Sequence, residues 1–97
     1  MINVGMYYNV KRGHEAEFES TFAGVAEAMK SAGSGIIDAK LYREVGKSEY
    51  LIYTEWESLD AFRAFMQSRA FGETVARGKE IIDGRPRHRI FSSIEGM

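Results

Sequence analysis

The chain has 97 residues, 44% of them hydrophobic and 28% charged, with a formal net charge of −1. That composition describes one globular domain over 1–97 rather than a disordered or fibrous chain, and the near-neutral balance argues against nucleic acid or an anionic membrane as main partner. The absence of cysteine excludes disulfides, thiolate metal sites and a cysteine nucleophile.

No stretch has the length of a transmembrane helix. The opening Met1-Ile2-Asn3-Val4-Gly5-Met6 lacks the basic and long apolar regions of a signal peptide, so a cytoplasmic protein is expected. Ile2 to Val10 predicts a strand, because Ile2, Val4, Met6, Tyr8 and Val10 alternate against Asn3, Gly5, Tyr7 and Asn9. Lys11-Arg12-Gly13 ends it. From about His14 to Ala32 a helix is expected, since Phe18, Phe22, Val25 and Met29 recur at helical steps, and Glu15, Glu17 and Glu19 suit the positive end of its dipole. Gly33 is placed to close that helix in a left-handed conformation, with Ser34-Gly35 extending the turn.

Ile36 to Glu44 and Glu49 to Glu55 predict a second and a third strand joined by a hairpin at Val45-Gly46-Lys47-Ser48. At Trp56 the alternating pattern gives way to an amphipathic helix: Ser58 is a good N-cap, Asp60 favours the first turn, and Leu59, Phe62, Phe65 and Met66 share a face. The helix pauses near Gln67-Ser68. A new turn starts with Ser68 as cap and carries Phe71, Val75 and Gly78 on one side. Ile81-Ile82 follow, Asp83-Gly84 forms a turn, and Arg87 to Ile94 is the last strand.

The order βαββαβ is the ferredoxin-like α+β pattern: two helical segments on one face of a four-stranded antiparallel sheet. The other face is not polar. Leu51 and Tyr53 oppose Tyr50, Ile52 and Trp56 in the third strand, while Ile36 and Tyr42 oppose Ile37, Ala39 and Leu41 in the second. A sheet apolar on both faces needs cover on both. A second copy of the chain is the simplest cover, and a homodimer burying on the order of 1,500 Å² is expected.

Three features resemble the antibiotic biosynthesis monooxygenase superfamily, small dimeric α+β barrels that include heme-degrading members. They are the strand ending at Gly13 before the Phe18/Phe22 helix, the Trp56-Glu57-Ser58 junction followed by Ala61-Phe62, and the Ser68-x-x-Phe71 restart. The resemblance implies a ligand pocket between sheet and helices, near Met6, Tyr8, Phe22, Phe65, Phe71 and Val75. It also implies either cofactor-independent oxygenation of an aromatic, quinol-type molecule, with no cofactor, or heme binding. The heme-degrading members use an asparagine on the first strand and a tryptophan and a histidine on the second helical segment. The matching positions here are Met6, Phe65 and Val75, so none of those residue types is kept.

Cofactor-free oxygenation needs a base and a donor to the developing oxyanion. His88 is the leading base, because the cations Arg85, Arg87 and Arg89 around it favour a neutral imidazole; the competing reading is a polar strand-edge residue. His14 is a solvated helix-entry residue or a second candidate. Tyr8 shares a face with Met6 and Val4, so its hydroxyl needs a partner that a ligand could supply. Trp56 either stacks on a ligand or fills the core at the strand–helix junction. Arg85, heading the cationic run, either holds an anionic group or lies on a solvated face or in an inter-subunit ion pair. No histidine pairs with a carboxylate at metal-site spacing, so no metal is expected. A blander reading, a structural dimer, has the cavity closed by Phe65, Phe71 and Met66.

Overall fold

The computed structural model describes residues 1–31 and 35–94. In chain order its elements are β1 (Ile2–Val10), α1 (Glu15–Ser31), β2 (Ile36–Arg43), β3 (Glu49–Trp56), α2 (Leu59–Met66), α3 (Arg69–Gly78) and β4 (Ile82–Ser92). The strands form one antiparallel sheet in the order β2-β3-β1-β4, which is the ferredoxin-like arrangement with its second helix broken in two.

The break follows the two serines. Ser58 Oγ accepts the Ala61 N–H at 3.1 Å to start α2, and Ser68 Oγ accepts the Phe71 N–H at 3.2 Å to start α3. Each serine satisfies a donor that the first helical turn leaves free. The closure expected at Gly33 and Ser34 lies outside the described residues. Gly35 has φ +82°, and a Cβ there would stand 2.8 Å from Ala61 Cβ. Only glycine can bring the chain that close to α2.

Strand alternation sends Val4, Met6, Tyr50, Ile52, Thr54 and Trp56 toward the helices, where all six are buried. Phe18 and Met29 from α1 and Phe62 from α2 meet them in the same core. The opposite face carries Tyr7, Leu51, Tyr53 and Phe91 with no helix over it among the described residues, and Tyr53 and Phe91 are 37% and 42% exposed. The expectation of a second apolar face is met only in part, because Tyr7, Leu51, Tyr53 and Phe91 share it with Lys40, Arg87 and Arg89.

Two expectations are corrected. In β2 the pairing with β3 slips between Ile36 and Asp38, so Ile36 joins the core with Ala39 and Leu41 while Ile37 is exposed. The alternation assigned the two isoleucines the other way round, because a bulge inserts one residue and reverses the faces beyond it. In β4 the strand begins five residues earlier than Arg87, and the turn expected at Asp83-Gly84 is absorbed into it. Asn9 pairs with Asp83 and Tyr7 with Arg87, so Gly84, Arg85 and Pro86 together oppose Tyr8 alone. Gly84 supplies the positive φ, +70°, that this bulge uses. Proline is tolerated there because β4 is an edge strand.

Candidate functional site

Between the helix-covered side of the sheet and α1 and α3 lies a cavity of about 480 Å³. Met6 and Tyr8 of β1, Ile52 of β3 and His88 of β4 form its floor; α1 contributes Phe18, Thr21, Phe22, Val25 and Met29. Phe65 of α2 and Phe71, Thr74, Val75 and Gly78 of α3 close the other side, and the β4 bulge brings Gly84, Arg85 and Pro86 to the rim. Such a size and lining suit a largely apolar small molecule.

Most of the residues expected from sequence meet here. Met6, Tyr8, Phe22, Phe65, Phe71, Val75, Arg85 and His88 all line this one space. The reading in which Phe65, Phe71 and Met66 plug it is overturned, since the two phenylalanines are walls of an open cavity and Met66 packs on the core instead. Trp56 stands apart. It is fully buried, donates its indole N–H to Thr54 Oγ1 at 2.8 Å, and leans on Phe62 and Phe65 with ring centroids 5.6 and 5.4 Å away. Phe65 in turn meets Phe71 at 5.1 Å. Trp56 thus braces a cavity wall from behind and is not part of its surface. His14 lies elsewhere, beside Glu17 on α1.

The polar groups on the wall are few. Tyr8 packs its ring on Phe18 at 5.5 Å, and the hydrogen-bond contact its hydroxyl makes is a weak one, donated to Met6 Sδ at 4.0 Å. Burial pushes its phenol up to about 12, so it keeps its proton and serves as a donor. His88 pairs across the ladder with Met6. Although exposed at the mouth, its imidazole is held below its ordinary value. The cause is desolvation and not the neighbouring arginines, which corrects the reason inferred from the cationic run. Strand alternation explains it: Arg87 and Arg89 face the opposite side, where Arg89 covers the Phe91 ring at 5.4 Å. Arg85 alone of the three is turned into the cavity, by the bulge.

Sequence reasoning treated Phe18, Val25 and Met29 only as core, yet all three are also cavity wall. It missed Thr21, Thr74 and Lys79. Their signal was present: Thr21 and Thr74 lie three residues after Phe18 and Phe71, and Lys79 four after Val75, each on the same helical stripe.

A second, polar depression beside the β2–β3 hairpin holds Arg12, Glu15, Arg43, Lys47, Ser48 and Asp83 among others. Several of its groups satisfy one another. Glu15 accepts from Ser48 Oγ at 2.6 Å and from the Gly13 N–H at 2.8 Å, while Tyr50 donates to Glu19. Arg43 lies 3.8 Å from both carboxylates. These bonds fasten the start of α1 to the hairpin.

Residues 1–77 match the antibiotic biosynthesis monooxygenase family, and the chain belongs to it. A structure of SnoaB, a cofactor-independent oxygenase from Streptomyces nogalater, superposes with a TM-score of 0.82 at 26% identity over 99% of this chain and 95% of that one. A Caulobacter crescentus structure described as a "putative antibiotic biosynthesis monooxygenase" gives 0.89 at 23% identity, over 97% of this chain and 90% of that one, and shows the fold alone. Among curated proteins, one from Halobacterium salinarum named "Putative heme-binding protein" is 35% identical over 86 residues, and one of the same description from Natronomonas pharaonis is 32% identical over 85. Each match covers 88% of this chain but only 17% and 14% of those much longer proteins. Among the described residues no helix is long and apolar enough to cross a membrane.

Proposed function

We propose that the protein is a small oxygenase of the cofactor-independent kind, acting on an aromatic, quinol-type molecule held in the cavity between sheet and helices. The observation that carries this reading is the cavity's make-up: about 480 Å³ of mostly apolar wall with one imidazole and one phenol on it. His88, kept neutral by desolvation, removes the proton of the substrate's ring hydroxyl, which leaves carbanion character on a ring carbon conjugated with it. Tyr8, whose phenol stays protonated, donates to the oxygen on which charge develops. Dioxygen is the oxidant. It adds to the carbanion, one oxygen atom stays on that carbon as a carbonyl, and the other leaves as water with the two hydrogens lost. Apolar walls exclude bulk water from the carbanion.

In this reading the functional unit is a homodimer, its copies joined through the open face that carries Tyr7, Leu51, Tyr53 and Phe91. Sedimentation at micromolar concentration tests this, and a well-folded single chain there would overturn it. For the activity, His88→Ala abolishes quinol-dependent oxygen uptake above the uncatalysed rate and leaves the circular dichroism spectrum intact. Unchanged uptake would remove His88 from the mechanism.

A heme-binding module is the second reading, favoured by the names of the archaeal relatives. The wall offers groups that fit a porphyrin: His88 as an iron ligand, Arg85 and Lys79 as cations for propionates. Bound heme would supply oxygen or redox chemistry. The positions that carry asparagine, tryptophan and histidine in heme-degrading members do line this cavity, but as Met6, Phe65 and Val75, which supports holding heme over breaking it. Hemin titration separates the readings: a saturable Soret shift without quinol-dependent oxygen uptake selects the module.

A further inference from the structure

The cavity wall has a one-sided charge. Of its lining residues, Lys79 and Arg85 are cations and none is an aspartate or glutamate. Four of the other basic side chains pair with acids, Lys40 with Asp38, Arg43 with Glu15 and Glu19, Lys47 with Glu44 and Glu49, and Arg69 with Glu73, while Lys11, Arg12, Lys30, Arg63, Arg77, Arg87 and Arg89 show no ion pair among the described residues and none of them lines the cavity. No such ion pair is seen for Lys79 or Arg85 among the described residues. The acids nearest in sequence do not reach in. Asp83 lines the polar depression on the other side of β4, and Glu80 is exposed in the turn after α3. The placement of Arg85 is also specific to the fold, because a regular strand would put it outside with Arg87 and Arg89. The bulge that sets Gly84, Arg85 and Pro86 against Tyr8 turns it inward.

An apolar pocket rimmed by two unneutralised cations favours a ligand with a flat apolar body and an anionic end. We infer that the molecule this cavity takes carries a carboxylate, seated between Lys79 and Arg85, with its aromatic body among Phe22, Phe65 and Phe71. The inference rests on the ligand-pocket reading above and adds to it the ligand's charge and orientation. It applies to an aromatic acid and to the propionates of a porphyrin alike, since both present the same group.

Matched probes test it: 9-anthracenecarboxylate against 9-anthracenemethanol, and hemin against hemin dimethyl ester, each titrated by fluorescence or absorbance. The acid of a pair binds more tightly than its neutral partner, and raising salt weakens only the acid. The Lys79→Gln/Arg85→Gln double variant loses about tenfold in affinity for the acid, the size expected of two exposed ion pairs, and nothing for the neutral probe. Preference for the anthracene acid alone points to an aromatic acid, and preference for hemin alone to a porphyrin. Equal binding of acid and neutral probes, unchanged in the double variant, would overturn the charge assignment and leave the pocket standing. Failure of all four probes to bind would overturn both.

Discussion

Thr54→Val is the substitution that best separates a buried polar bond from simple packing. Thr54 and Trp56 are each 0% exposed, so no water can replace a lost partner. Thr54 Oγ1 accepts the indole N–H at 2.8 Å and donates to the Val4 carbonyl at 3.1 Å. Valine keeps the shape and removes the oxygen, stranding the indole N–H in the core at a cost of about 1–3 kcal/mol. For a domain of this length that lowers Tm by about 5–15 °C. Thermal unfolding is followed by circular dichroism at one fixed protein concentration, because association would make Tm concentration-dependent. Repeating Thr54→Val in a Trp56→Phe background completes the cycle. Without the indole donor the threonine change costs less, and the coupling falls in the range of about 0.5–3 kcal/mol found for contacting residues. An equal cost in both backgrounds would refute the reasoning and leave the Thr54 effect to its bond with Val4.

Three further outcomes follow from the geometry. Gly35→Ala costs about 2 kcal/mol or more, since it adds a Cβ 2.8 Å from Ala61 to a backbone at φ +82°, whereas Gly13→Ala, at φ +92° with open space around it, costs only the backbone term of about 1 kcal/mol; equal urea midpoints for the two variants would contradict this. Tyr8 and Tyr50 are both pushed up to about 12, chiefly by burial, so neither Tyr8→Phe nor Tyr50→Phe reduces the tyrosinate absorbance that develops by about pH 11. Because these folded values lie above the unfolded one, the stability they contribute is whole below about pH 10 and is lost toward pH 12. His88 shifts the opposite way: its folded value lies below the unfolded 6.5, so its contribution is present above pH 6.5 and disappears as the solution is acidified through the folded value. His88→Gln removes that slope from the stability profile, and an unchanged slope would show that His88 is solvated like a free imidazole.

The sheet, the helices and the broken second helix were legible because each rests on local chemistry: period-two alternation, helical stripes, and Ser58 and Ser68 as caps. The eight cavity residues named from sequence were legible partly from their shared faces and partly from the family resemblance. What could not be read is where one strand's register slips against another. The Ile36–Asp38 slip and the Gly84–Pro86 bulge are decided by pairing with β3 and β1, and the strand's own residues carry no record of it beyond a glycine and a proline. That one bulge also explains why the arginine run was misjudged. Read as a block, Arg85, Arg87 and Arg89 surround His88; folded, one faces the cavity and the other two face away.

A single strand connects the two proposals made above. Along β1, Val4, Met6 and Tyr8 face the helices and the cavity, while Asn3, Gly5 and Tyr7 face the uncovered side. Gly5 is buried although no helix covers it, because the Tyr7 ring lies across it; a Cβ at Gly5 would stand 3.2 Å from that ring and 3.3 Å from Leu51. Asn3 donates to the Tyr53 hydroxyl at 2.7 Å across the same surface. Part of the uncovered face is thus already ordered in the single chain, which lowers the entropic cost of docking a second copy on it. Covering it would also stiffen β1 and β3 from behind, fixing the floor on which Met6, Tyr8 and Ile52 meet the ligand. A chain this short has little core to spare for rigidity, so under the proposed function part of the order the cavity needs would come from a second copy's sheet.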